Sequence, residues 1–173
     1  ERLHLGTYRD CYNPRRPLVI CFDFNVAPGT AVILQELGAD TFDIPVGTTI
    51  TTVIGEVYIP RNSNTLRVCR KVLEDWGDHE GLVICYGDST GGNKGSAKVK
   101  GSDWDLIKQA LTPHYGERLY FNVPLRNPAE RQRVNAVNSR LLSMNGDVRM
   151  VVDGKYCPMT AVSYTHLTLP TIY

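Results

Sequence analysis

The chain has no long apolar run. None of its 173 residues belongs to a stretch near the roughly 20 apolar residues that a membrane helix needs, and the opening Glu-Arg-Leu-His-Leu-Gly does not follow the basic-then-apolar plan of a signal peptide. An intracellular chain without membrane contact is the expectation. Paired cysteines are missing as well. The five cysteines, at 11, 21, 69, 85 and 157, contain no Cys-x-x-Cys, which argues against a zinc ribbon or a dithiol redox site. Cys21 and Cys85 fall in apolar strand runs, where a free thiol behaves as a small hydrophobe, so reduced thiols without disulfides or zinc are expected. Strong charge of either sign is also lacking: 19 Lys+Arg stand against 18 Asp+Glu, a net charge of +1. That balance leaves nucleic-acid and small-molecule partners both open, because binding depends on local patches.

Incomplete motifs remove further classes. Gly87 and Gly92 with Lys94 resemble a phosphate-binding loop, but the Gly-Lys-Ser/Thr ending is absent, Asn93 and Gly95 flank the lysine, and no helix is predicted to start there. A calcium loop from Asp23-Phe24-Asn25 fails because Ala27 and Pro28 replace an oxygen ligand and the turn glycine. Neither Cys21 nor Cys85 has an evident activating cation, and His79 and His114 read as surface residues.

What is present is an ordinary globular composition, 42% hydrophobic and 21% charged, enough for one domain with a sizeable core. The most informative stretch is Pro17–Val26. Leu18, Val19, Ile20, Phe22, Phe24 and Val26 read as a strand buried on both faces, and Asp23 stands among them. An unpaired carboxylate in such a place is costly. Two readings stay open for it: a hydrogen-bonded strand end that starts the Ala27-Pro28-Gly29 turn, or a metal ligand.

Residues 1–16 read as a lead-in. Residues 30–37 return as the second strand of a hairpin, and 48–59, rich in β-branched side chains, form a third strand, giving an antiparallel meander. Ser63-Asn64-Thr65 starts a helix with Leu66, Cys69, Val72, Leu73 and Trp76 on one face, stopped by residues 77–81. Leu82–Tyr86 is a short apolar strand that runs parallel to the first and delivers Gly87-Asp88-Ser89. The following glycine-rich, cationic residues up to 101 read as an exposed loop. Ser102-Asp103 caps a second helix, ended by Pro113; residues 118–123 form a fifth strand. A third helix from Asn127-Pro128 turns Val134, Val137, Leu141 and Leu142 inward and Arg131, Arg133 and Arg140 outward, and residues 148–152 form one more strand. Residues 160–173 read as a tail foreign to the rest.

If the first and fourth strands are neighbours, Asp23 and Asp88 meet at their ends. Carboxylates that close repel unless a cation lies between them. Hard oxygen donors with water in the remaining positions suit Mg2+ or Mn2+, and two such ions about 3.5–4 Å apart hydrolyse a phosphodiester in line.

Taken together, Phe22-Asp23-Phe24-Asn25-Val26-Ala27-Pro28, Gly55-Glu56-Val57-Tyr58-Ile59-Pro60 with Asn64-Thr65, Tyr86-Gly87-Asp88-Ser89-Thr90-Gly91 and Arg131-Gln132-Arg133-Val134-Asn135-Ala136-Val137-Asn138 resemble the nuclease domain of tailed-phage terminase large subunits, over about residues 8–159. The resemblance implies an α/β, ribonuclease-H-like fold: a three-strand antiparallel meander plus parallel strands, flanked by helices. It implies a nuclease domain over 17–159 behind a 1–16 linker from an ATPase domain. Its activity is then metal-dependent, largely sequence-independent cleavage of concatemeric double-stranded DNA in the host cytoplasm during phage assembly, with two Mg2+ or Mn2+ ions. Partners of the whole enzyme are the ATPase domain, the small terminase subunit and the portal.

On the matching positions, Asp23 is the first metal-binding aspartate and Asp88 the second acidic ligand. Glu56 lies in a motif the family often shows; a catalytic place in or beside the site and an exposed strand glutamate both stay open for it. Lys94, Lys98, Lys100, Arg131 and Arg133 are the DNA-binding candidates. The family's third carboxylate, on a C-terminal helix, has no counterpart: Asp153 comes too early and His166 falls in the foreign-looking tail. A C-terminally truncated fragment, weak or inactive by itself, is the expectation. The alternative is a non-catalytic DNA- or partner-binding domain on the same fold, gripping phosphates by charge.

Overall fold

Alternating side chains build the strands. The computed structural model describes residues 5–24, 27–89 and 102–166. Along β2 (Leu18–Asp23), Leu18, Ile20 and Phe22 are buried, Val19 and Cys21 are half-buried, and Asp23 is exposed. The strand is therefore fully buried on one face only, and the aspartate expected to be a buried charge lies open at the strand end. β3 (Gly29–Leu37) alternates in the same way, and β4 (Ile50–Ile59) is buried along most of its length. These three strands form the expected antiparallel meander.

β5 (Val83–Gly87) pairs with β2 in parallel, and β6 (Leu119–Phe121) pairs with β5 in parallel. β7 (Met150–Asp153) runs parallel to β4, and β1 (Leu5–Gly6) runs parallel to β7. The seven-stranded sheet has the order β1-β7-β4-β3-β2-β5-β6. Leu5–Gly6 is thus an edge strand inside what the sequence presents as a lead-in. Two residues are too few to show a period of two.

By its contacts the chain divides into two compact units. One comprises Asn13–Ile33 and Val57–Ala129. In it, α1 (Thr65–Trp76) starts at Asn64, whose side chain accepts from the Arg67 amide at 2.9 Å. α1 buries Val68, Cys69, Val72 and Trp76 while Leu66 stays 40% exposed, so the inward stripe is rotated from the expected one. α2 (Asp103–Tyr115) begins with a reciprocal capping box between Ser102 and Asp105. Pro113 does not end it. The proline removes one intrahelical hydrogen bond, yet the helix runs on to Tyr115, which is buried and donates its hydroxyl to the Trp76 carbonyl at 3.1 Å. Gly116, at φ +57°, provides the stop.

His79 also departs from expectation. It is 1% exposed, its Nε2 lies 3.2 Å from the Leu82 carbonyl, and Arg118 donates to its own carbonyl. Burial pushes its pKa down.

The other unit comprises Glu1–Tyr12, Leu34–Glu56 and Glu130–Tyr173. Its α3 (Glu130–Leu141) has no buried residue, and Val134 is 50% exposed. Of the inward face expected for Val134, Val137, Leu141 and Leu142, Val137 and Leu141 are half-buried and Val134 and Leu142 exposed: a few apolar positions among a polar majority give a narrow stripe. α4 (Pro158–His166) runs through residues 160–166, and Ala161 within it is buried.

Candidate functional site

Asp23 and Asp88 both lie in the unit formed by Asn13–Ile33 and Val57–Ala129. β2 and β5 pair from Leu18 opposite Val83 to Phe22 opposite Gly87. One residue further along each strand come Asp23 and Asp88. Neighbouring strands lie about 4.8 Å apart, so the register alone brings the two aspartates side by side at one rim of the sheet. Asp23 is exposed and Asp88 half-buried.

Several contacts fix this rim. Phe22 and Phe24, on either side of Asp23, present their rings edge-on to the Trp104 indole, with centroids 6.4 and 5.0 Å away. The same indole donates its Nε1–H to the Asp88 carbonyl at 3.1 Å. Gly87 makes this approach possible, since a Cβ there would lie 2.8 Å from the Phe22 carbonyl oxygen and 3.0 Å from Trp104 Cζ2. On the far side of Asp88, the Ser89 amide donates to Asn127 Oδ1 at 2.8 Å. Nearby, Thr65 Oγ1 donates to Asp103 Oδ1 and ties the starts of α1 and α2 together. Asp23 lines a cleft with Asn64 and Thr65 at the start of α1.

Two carboxylates at the ends of in-register strands fit a hard divalent cation that keeps several waters. They are a poorer match for zinc, whose protein sites are built mostly from cysteine and histidine. Among the described residues no group of three or more His, Cys, Asp or Glu is placed to hold a metal. The cysteines fit their expected inertness: burial pushes the thiol of Cys21 up to about 11 and that of Cys85 to about 12.

Glu56 belongs to the other unit, where its carboxylate accepts from the Met159 amide at 2.8 Å and from the amide and hydroxyl of Thr160, each at 2.7 Å. It is neither bare nor exposed; it caps α4. Arg131 and Arg133 are exposed on α3. Lys94, Lys98 and Lys100 fall outside the described residues. Sequence reasoning missed the parts played by Trp104 and Asn127. Trp104 occupies an apolar position near the start of α2, and the sequence signal for its role is the glycine immediately before Asp88.

No family model and no curated protein sequence matches the chain. Solved structures do. The large terminase nuclease domain from the bacteriophage SPP1, with bound Mn, is similar over 94% of this chain and 76% of that one, at 12% identity and a TM-score of 0.51. The fowlpox virus Holliday junction resolvase is similar over 86% of this chain and 85% of that one, at 12% identity and a TM-score of 0.42. At 12% identity the first likeness is one of fold, and the fold is ribonuclease-H-like.

Proposed function

We propose that this chain is a metal-dependent endonuclease domain of the terminase kind, acting on concatemeric double-stranded DNA, with Asp23 and Asp88 holding Mg2+ or Mn2+. The observation that carries the reading is the β2–β5 register, in which Phe22 opposite Gly87 makes Asp23 and Asp88 the next neighbours. The fold of the SPP1 nuclease domain, solved with bound Mn, supports it. Bound metal supplies charge stabilisation and an acidified water at the scissile phosphate.

The chain's own residues do the rest. Asp23 stands exposed at the rim, on the side from which a phosphodiester would approach. Asp88 is held by its backbone through Trp104 and its neighbour Ser89. A second ion, as in two-metal hydrolysis, needs oxygen donors beyond this pair. Glu56 contributes by holding the start of α4. Lys94, Lys98, Lys100, Arg131 and Arg133 serve the phosphate backbone, and binding through them weakens as salt rises. In genome packaging the partners would be an ATPase domain, the small terminase subunit and the portal.

Cleavage of supercoiled plasmid in Mn2+ tests this. The parent nicks the plasmid, chelator stops it, and Asp23→Ala and Asp88→Ala each slow it by more than about a hundredfold, beyond the loss typical for groups that merely support metal ligands. Equal cutting by the parent and both variants contradicts the assignment. A parent that binds DNA in a salt-dependent way but never cuts points instead to a non-catalytic DNA-binding domain.

A further inference from the structure

We propose that Trp104 is a positioning residue that sets the spacing of Asp23 and Asp88; this rests on the metal-dependent reading above. Trp104 touches both carboxylate-bearing strand ends. Its ring meets Phe22 and Phe24, which bracket Asp23, and its Nε1–H holds the carbonyl of Asp88 itself. A third ring, Phe121 on β6, meets the indole edge-on at 5.9 Å, so the indole has little freedom to turn. Gly87 leaves the room for it: any side chain there would meet the Phe22 carbonyl and the Trp104 ring.

A hydrogen bond to the backbone of a ligand does not touch the metal. It fixes where the ligand's Cα sits, and hence the separation that a single ion must bridge with oxygen distances of about 2.0–2.6 Å. Groups that orient ligands in this way change metal affinity by about 10–100-fold when removed. Trp104→Phe keeps an aromatic ring against Phe22 and Phe24 and deletes the N–H, which isolates the part of the indole that reaches Asp88.

The experiment is a calorimetric titration of the intact chain and of Trp104→Phe with Mn2+, with thermal melting to show that both are folded. The variant binds Mn2+ about tenfold more weakly, and raising Mn2+ restores its plasmid cleavage toward the parent's rate. A second readout needs no variant. The chain has two tryptophans, Trp76 and Trp104, so adding Mg2+ shifts the indole N–H resonance of Trp104 and leaves that of Trp76 in place. A parent that binds metal, with a variant of equal affinity or an unmoved Trp104 resonance, overturns the positioning role alone. A parent that binds no divalent metal overturns the functional reading along with it.

Discussion

Asp23 and Asp153 both end strands, the first exposed and the second buried. Asp153, at the end of β7, is 0% exposed and accepts four backbone N–H groups, from Tyr8 at 2.6 Å, Arg9 at 2.7 Å, Lys155 at 2.9 Å and Tyr156 at 3.0 Å. The buried carboxylate expected at Asp23 is found at Asp153 instead, a position hard to foresee because β2 shows a long apolar run and β7 a short one. Asp153 is satisfied without a cation. Burial alone would raise its pKa, but the four N–H donors outweigh burial and hold it below the ordinary carboxylate value. Its stabilising effect is therefore complete above the unfolded pKa of about 3.9 and is lost as pH falls through the lower folded value. Asp153→Asn should lower stability by about 2 kcal/mol at neutral pH, as expected for hydrogen bonds to a charged group. Urea unfolding across pH checks this, and the gap between parent and variant closes in strong acid. His79 lies in a Gly-Asp-His-Glu-Gly stretch that looks like an exposed turn, and only tertiary packing buries it.

Among the elements, those with a strong period were legible and those without were not. The three strands of the meander, α1 with its Asn64 cap and α2 with its Ser102 cap were all evident from alternation and capping residues. The inward stripe of α1 was displaced because Val68 could not be told from its neighbours by spacing alone, and α3 has too little apolar surface for its spacing to decide anything. The start of α4 depends on a partner about a hundred positions away in the chain, with Glu56 receiving both amides and a hydroxyl. No local pattern reveals a cap supplied from another strand. Glu56→Ala should fray the first turn of α4 and cost about 1–2 kcal/mol, the range for losing an N-cap. Hydrogen exchange at Met159 and Thr160 checks this: faster exchange confined to that turn is expected, and unchanged exchange contradicts the capping role.

At the scale of the whole molecule, the legible part of the fold was the part that topology rules constrain. A short apolar strand that follows a helix is expected to run parallel to an earlier strand; β5 does lie parallel to β2, and the condition for Asp88 to come next to Asp23 is met. The edge strand β1, the division into two units and the grip of Trp104 on the site arise from contacts between distant residues, which composition and periodicity do not record. The proposed activity requires that the β2 and β5 ends form a single metal site. Calorimetric Mn2+ titration of the parent, Asp23→Asn, Asp88→Asn and the double variant tests it most directly. Each single variant should bind more than about tenfold more weakly, and the double variant should lose less than the product of the two, because one ion needs both ligands. Parent-like Mn2+ affinity in either single variant, or losses that multiply as for independent sites, would contradict it.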